Sequence, residues 1–226
     1  MTFSIVARCA RSGAFGVAVA SSSPAVAARC AHGRPGIGAV ATQNITDPRL
    51  GPAALDLLAQ GLPAEAALAR LCAKAPHIAY RQLALVDARG GTAAWSGAHT
   101  LGTHRTVQGP GAVAAGNLLA SPDVPERMLA AFLARPGAAL GARLVEAMQA
   151  GVAAGGEAGP VHSAGLLVVQ DVAWPVADLR VDWAESDPVA ALAALWRRWA
   201  PEMAAYVTRA LDPAAAPRYG VPGDAE

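Results

Sequence analysis

Residues 2–21 of the chain, TFSIVARCARSGAFGVAVAS, decide how the fold begins. Apolar and small side chains alternate over residues 2–8 and again over residues 15–22, and residues 11–13 (Arg-Ser-Gly) between them have the composition of a turn. Such alternation is typical of strands that place one face on a core. We therefore predict a β-hairpin at the start of the chain.

The same residues also have some features of a signal peptide. Arg8 and Arg11 precede the apolar segment GAFGVAVA, and SPAVAA resembles a cleavage site with small residues. The apolar segment is short, and loss of roughly the first 27 residues would remove much of the hairpin and leave an unpaired sheet edge. We favour the hairpin, and the signal peptide remains the alternative.

Further along the chain, the periodicities predict strands and helices in separate blocks. Strands are predicted at 36–43, at 83–86 and from Thr92 onward around a Gly-Gly turn, at 112–117, and in SAGLLVVQD and WPVADLRVDW. Helices are predicted at 50–60, 63–75, 124–134, 138–150, and from Asp187-Pro188 to about Leu211. The last helix has core residues at helical spacing: Val189, Leu192, Leu195, Trp196, Trp199 and Met203.

Because strands and helices come in blocks rather than as β-α-β units, the order favours two sheets with helices packed outside them. The expected class is an α+β layered sandwich. The length fits a single domain, which we place at residues 1–211, followed by an irregular Pro/Ala/Gly-rich tail at 212–226.

Composition and charge exclude several classes of protein. The 18 Lys and Arg residues balance 17 Asp and Glu residues without long runs of one sign, so we expect no binding to nucleic acid or to a membrane surface. No uncharged apolar run reaches the length of a membrane-spanning helix. The three cysteines lack CxxC spacing, which suits reduced thiols in a cytoplasmic protein.

The sequence lacks the common motifs of cofactor-binding and metal-binding proteins. The sequence has no GxGxxG, HExxH or GxSxG pattern, and a Walker motif is excluded away from Lys74, the only lysine. The five histidines show no recognised spacing for metal ligands. We expect neither a metal nor an organic cofactor, and a small molecule as the ligand.

Thr2 follows the start methionine directly, and removal of Met1 would leave a hydroxyl and a free amine on one residue. An α-amine has a reference pKa of roughly 7.7–8.0, so a useful fraction is neutral base near neutral pH. A hydroxyl beside such a base is an activated nucleophile.

Other polar residues fall at predicted strand ends or in loops. Ser21, Ser22 and Ser23 end the second strand, beside Thr2 if the hairpin pairs as predicted. A run of serines can also end a strand in a polar loop without any catalytic role. Gln43 and Asn117 also end strands, where amides commonly tie down loops. Arg81 could bind a substrate carboxylate, or it could be a solvated residue at the start of a strand. Glu157 could bind a substrate amine.

Seven short motifs in order resemble the family of domain-of-unknown-function 1028 proteins over nearly the whole chain. They are TFSIVAR, GVAVASS, GIGAVATQ, RQLALVDARG, GNLLA with MLAAF after it, AGG before SAGLLVV, and DLRVD followed by DPV. The resemblance implies the N-terminal nucleophile (Ntn) hydrolase group, a four-layer αββα sandwich, and a first residue that attacks an amide carbonyl with its own α-amine as base. Only Thr2 fits that role here.

Two segments depart from the family's pattern. The glycine-rich loop at 155–163 lacks the aspartate, arginine and glutamine that the family tends to have, and Pro24 replaces a basic residue after the serines. Substrate contacts in that loop are expected to differ.

Together these arguments predict an amidohydrolase that cleaves a C–N bond of a small metabolite. Thr2 is the expected nucleophile. The hydroxyl of Ser22 or Ser23, or the amide of Gln43, is expected to orient its amine, and loop backbone N–H groups or Asn117 are expected to stabilise the oxyanion. The expected substrate-binding residues are Gln43, Arg81, Glu157 and His162. A homodimer is the default assembly, and the alternative function is a non-catalytic ligand-binding or scaffold protein with the same fold.

Overall fold

The computed structural model describes residues 1–221, and the strands of this part of the chain form two antiparallel sheets. The six-stranded sheet has the order β10-β9-β2-β1-β8-β7, and the four-stranded sheet has the order β3-β4-β5-β6. The strands are β1 (Thr2–Arg8), β2 (Phe15–Ser21), β3 (Ala31–Arg34), β4 (Gly38–Asn44), β5 (Arg81–Asp87), β6 (Thr92–Ser96), β7 (Arg105–Gly109), β8 (Ala112–Asn117), β9 (Ser163–Val169) and β10 (Ala177–Val181).

Helices cover the outer face of each sheet. They are α1 (Ala27–Cys30), α2 (Leu50–Ala59), α3 (Ala64–Lys74), α4 (Val124–Ala134), α5 (Leu140–Ala153), α6 (Pro188–Trp199) and α7 (Met203–Leu211), with a 3-10 turn at Ile78–Tyr80. Helices α4, α5 and α6 share one apolar core with the six-stranded sheet, and α2 and α3 share another with the four-stranded sheet. None of the helices in the described part of the chain is long and apolar enough to cross a membrane.

A third apolar cluster joins the two sheets face to face. It contains side chains from both sheets, namely Val6, Phe15, Val17, Ala39, Ala41, Ala84, Val86, Val113, Ala115 and Val169. The order across the molecule is therefore helices, sheet, sheet, helices. The prediction of an α+β protein with two sheets and outer helices is confirmed.

The alternation of side chains along β1 places Thr2 in the layer between the sheets. Phe3 and Ile5 point outward into the core with α4 and α5, whereas Val6 packs between the sheets. Because side chains alternate along a strand, Thr2 and Ser4 share the face of Val6. The inter-sheet layer is consequently apolar along most of its length and polar where β1 begins.

The N-terminal hairpin lies at the centre of the larger sheet. β1 pairs with β2 from Phe3↔Ala20 to Arg8↔Phe15, as the sequence predicts. The third predicted strand, however, is not the next strand of this sheet: β4 belongs to the four-stranded sheet and pairs with β3 and β5.

The predicted long C-terminal helix is interrupted. α6 ends at Trp199 and α7 begins at Met203, because Pro201 has no N–H to continue the helical hydrogen bonds. Leu195 was predicted in the core and is instead 38% exposed. Residues 212–221 contain neither helix nor strand, and the remainder of the predicted tail, 222–226, lies outside the described residues.

Candidate functional site

The candidate site lies at the start of β1, where Thr2 is only 4% exposed. The Thr2 hydroxyl donates to the carbonyl oxygen of Met1, and its Oγ1 is 3.4 Å from the Oγ of Ser21. Ser21 donates to the same Met1 carbonyl. Two hydroxyls thus converge on the carbonyl of the Met1–Thr2 peptide bond.

Neighbouring groups fix the position of Ser21. Its Oγ lies 2.8 Å from the Oγ of Ser23 and accepts a hydrogen bond from the Ser23 amide at 3.1 Å. Arg29 in α1 donates to the Ser23 hydroxyl at 2.8 Å, and Ser163 at the start of β9 donates to the Ser23 carbonyl at 2.6 Å. Contacts from α1 and β9 therefore hold the serine segment beside Thr2, and the positive charge of Arg29 lies close to it.

A network of buried amides lies behind Thr2, between the sheets. Ser4 donates to Gln43 Oε1 at 2.6 Å, and Gln43 Nε2 donates to Gln82 Oε1 at 2.8 Å. Asn117 Nδ2 donates to the same Gln82 oxygen at 3.1 Å. These four side chains are at most 1% exposed. A hydrogen-bonded network without solvent contact holds its members in one arrangement.

Glu157 closes the end of β1 from the loop that follows α5. Its backbone bridges to Leu119 just beyond β8, and both of its carboxylate oxygens accept from the amide of Ser22 just beyond β2, at 3.1 Å. Through its backbone and its carboxylate together, Glu157 therefore joins the ends of the two strands that flank β1. Gly155 and Gly156 turn this loop with φ of +109° and +57°, a conformation that glycine adopts without strain.

Burial dominates the electrostatics of Glu157. Desolvation raises the pKa of its carboxyl to about 7, while the positive N-terminus of the chain, the Ser22 amide and His162 oppose that shift. The Met1 side chain lies on the same loop, where a Cβ on Gly159 would be 3.1 Å from Met1 Cε. Any residue that precedes Thr2 is therefore adjacent to an acid that titrates near neutral pH.

The structure brings most of the sequence-predicted residues to this end of the molecule. Thr2, Ser23, Asn117 and Glu157 line or adjoin the site, whereas Gln43 lies behind it and is 1% exposed. Ser22 reaches Glu157 through its backbone amide rather than its hydroxyl.

Two predicted substrate-binding residues have other contacts. Arg81 donates from Nη1 to the carbonyl of Ile45, just beyond β4. His162 donates its amide to the Ser21 carbonyl at 2.9 Å, its Nδ1 lies 2.9 Å from the Ala184 carbonyl oxygen, and its ring stacks on Trp183 at 4.2 Å. His162 thus adjoins the site through its backbone, with an aromatic wall beside it.

Ser4 and Gln82 were not predicted from the sequence, and Ser21 was placed beside Thr2 without a role of its own. These three residues make the central hydrogen bonds. The sequence does contain the information needed to predict Ser4, because Ser4 lies two residues from Thr2 and therefore on the same face of the strand. To predict Gln82 as a contributor, one must know that it pairs with Gln43 between β4 and β5. The sequence alone does not reveal that pairing.

Within residues 1–221, no group of three or more His, Cys, Asp or Glu side chains is arranged to hold a metal ion. The cysteines in this range are all free, with Cys9 and Cys30 buried. The chemistry available at the site is that of hydroxyls, amides, one buried carboxyl and the N-terminus of the chain.

The fold and site define a mixed α+β protein with two packed antiparallel sheets and a polar cluster at the N-terminal strand. The model of a family of unknown function, DUF1028, matches residues 2–192. The chain therefore belongs to the DUF1028 family.

A solved structure supports this assignment. The DUF1028 protein SPO2555 from Silicibacter pomeroyi is 30% identical, with a TM-score of 0.81 over 87% of this chain and 88% of that chain. Anbu (ancestral beta-subunit) from Yersinia bercovieri is 11% identical, with a TM-score of 0.36 over 90% of this chain and 97% of that chain. No curated protein matches the chain in sequence.

Proposed function

We propose that this protein is an amidohydrolase of the N-terminal nucleophile type, which cleaves a C–N amide bond of a small molecule after the Met1–Thr2 bond has been broken. One observation carries the proposal: the hydroxyls of Thr2 and Ser21 both converge on the Met1 carbonyl. In such an enzyme the nucleophile attacks a carbonyl carbon beside it, and the oxygen on that carbon needs a hydrogen-bond donor. The order helices, sheet, sheet, helices is also the order that the family resemblance implies.

The proposed reaction proceeds in two steps. The neutral α-amine of Thr2 accepts the proton of its own hydroxyl as Oγ1 attacks the substrate carbonyl carbon. The C–N bond then breaks, the leaving amine takes that proton, and the acyl group remains as an ester on Thr2. A water molecule, activated by the same amine, hydrolyses the ester and releases the acid.

The Met1 carbonyl marks where a substrate carbonyl oxygen would lie. Ser21 donates to that position and is our candidate for stabilising the oxyanion, the charge that develops in the transition state. Asn117, which the sequence suggested for this role, instead has its Nδ2 directed to Gln82.

Glu157 and the neighbouring loop form the proposed acyl-binding side of the site. Met1 lies against Gly159 in that loop, and the Glu157 carboxyl is 4% exposed beside it. A substrate whose acyl part is small and polar fits this arrangement better than a folded polypeptide.

The test compares Thr2→Ala and Thr2→Ser with the unchanged protein on a panel of small amides. Both variants have a small second residue, so Met1 is expected to be removed from each. Thr2→Ser should retain measurable turnover and Thr2→Ala none. Thr103→Ala alters an exposed threonine and serves as the control.

Turnover by Thr2→Ala would overturn the proposal. A chain that keeps Met1 and shows no turnover would favour the alternative, a non-catalytic ligand-binding protein, because Met1 then covers Thr2 permanently.

A further inference from the structure

A buried acceptor beside the start of β1 has no partner. Asn117 is fully buried, and its Oδ1 makes no hydrogen bond within the described part of the chain. Leaving a buried polar atom unpaired is unfavourable, and native proteins rarely do so without a reason. The unpaired oxygen indicates a donor that the uncleaved chain does not supply.

The surrounding network fixes which atom of the Asn117 amide is unpaired. Gln82 donates from Nε2 to the Gly116 carbonyl at 3.0 Å, and a carbonyl only accepts. Gln82 therefore presents Oε1 on its other side, where only a donor fits. Asn117 must direct its Nδ2 to that oxygen, as the 3.1 Å contact shows, and its Oδ1 remains the free acceptor.

Strand register places this acceptor next to Thr2. Thr2 pairs directly with Asn117 between β1 and β8, and both side chains lie on the face toward the second sheet. The Met1 carbonyl is held by Ser21 of β2, on the opposite flank of β1. Because a trans peptide directs its N–H away from its C=O, the Thr2 nitrogen faces β8 and Asn117.

We infer that Asn117 is a positioning residue, whose Oδ1 accepts a hydrogen bond from the α-amine of Thr2 once the Met1–Thr2 bond is cleaved. In the uncleaved chain this nitrogen carries one hydrogen, and cleavage adds the further hydrogens that the acceptor lacks. The inference rests on the proposed function only in requiring Thr2 at the N-terminus. The contact would hold the amine next to Oγ1 of the same residue.

Several other charged or titratable groups lie near this end of β1. Glu157 from the loop after α5 and Cys30 from α1 are both influenced by the charge of the chain's N-terminus, His162 acts on Glu157, and Arg29 is bonded to Ser23. These groups are unchanged by substitution at position 117. A difference between variants at that position therefore isolates the contribution of Asn117.

The test measures the titration of the Thr2 amine directly, without an activity assay. Each protein is released from a cleavable N-terminal leader so that Thr2 is its first residue, as verified by mass. It is then labelled briefly with an amine-reactive reagent at a series of pH values. Lys74, the only lysine and an exposed residue, is the internal reference for reagent reactivity.

Asn117→Leu and Asn117→Ala are both expected to lower the labelling midpoint. Each substitution removes the acceptor that favours the ammonium form, so the midpoint falls by about half to one pH unit, the value of one hydrogen bond. Ser96→Ala removes a bond at the far end of the network and should leave the midpoint unchanged.

Equal shifts for Asn117→Leu and Ser96→Ala, or no shift for either substitution of Asn117, would overturn the inference. Should Asn117→Leu fail to fold, the fall of the midpoint in Asn117→Ala alone decides. The proposed function fails separately, if the Thr2-terminal protein hydrolyses no amide while these shifts are observed.

Discussion

The carboxylate of Glu157 and the backbone amide of Ser22 form a bridge, with both carboxylate oxygens 3.1 Å from the Ser22 nitrogen. This bridge joins the loop after α5 to the end of β2, directly over the start of β1. It places a buried acid where the residue before Thr2 lies. The pKa of that acid is raised to about 7, chiefly by burial.

The raised pKa of Glu157 predicts a specific dependence of stability on pH. The folded chain holds this proton more tightly than the unfolded chain, whose pKa is near 4.5. The contribution of Glu157 to the free energy of unfolding is therefore fully present below pH 4.5. It decreases as the pH rises toward 7 and does not change further above that pH. The pKa difference corresponds to a loss on the order of 3 kcal/mol.

Glu157→Gln removes this titration and keeps an acceptor for Ser22. We expect the variant to unfold at higher denaturant concentration than the unchanged protein at pH 8 and at nearly the same concentration at pH 4.5. Glu185→Gln, at an exposed position, is the control. A constant difference between variant and parent at both pH values would contradict the assignment to Glu157.

Ser21 is predicted to act on the rate of the reaction more than on substrate binding. Ser21→Ala removes the hydroxyl that donates to the carbonyl position beside Thr2. Losing one such donor typically costs about a hundredfold or more in kcat, and we expect that loss with little change in KM. Ser186→Ala, an exposed serine, should match the unchanged protein. A kcat within twofold for Ser21→Ala would exclude this role.

The buried amide network is predicted to contribute strongly to stability. Gln82→Leu would leave Gln43 Nε2, Asn117 Nδ2 and the Gly116 carbonyl without their partner. We expect a loss of about 2–4 kcal/mol in the free energy of unfolding, measured by denaturant titration. Ser96→Ala removes one bond of the same network and should cost less than about 1 kcal/mol. Equal free energies of unfolding for Gln82→Leu and Ser96→Ala would contradict the prediction that the amide network contributes strongly to stability.

The elements that could be predicted from the sequence are those in which apolar residues recur at strand or helix spacing within a short segment. The β1–β2 hairpin and helices α2 to α5 follow directly from alternation or helical spacing. β3 and β7 were missed because their side chains are partly or fully exposed, which leaves no apolar alternation to detect. β4 follows the first hairpin in the chain but does not pair with it, because its partners are β3 and β5.

The candidate site was partly predictable for a related reason. Thr2 and Asn117 stood out as polar residues at strand ends, and β1–β8 pairing brings them face to face. The contact between Glu157 and Ser22 joins residues 135 positions apart in a loop without periodicity. The orientation of Gln82, which leaves the Asn117 oxygen unpaired, depends on a hydrogen bond to the Gly116 backbone. Neither follows from local sequence.

The most direct test of the central claim is mass mapping of the N-terminal peptide after brief exposure to an activated ester of a small acid. The reaction is quenched in acid, because an ester beside a free amine rearranges to an amide at neutral pH. We predict that the peptide begins at Thr2 and carries the acyl group as a hydroxylamine-sensitive ester, absent from Thr2→Ala. A protein that hydrolyses amides with Met1 still attached, or with Thr2 unacylated, would contradict the account.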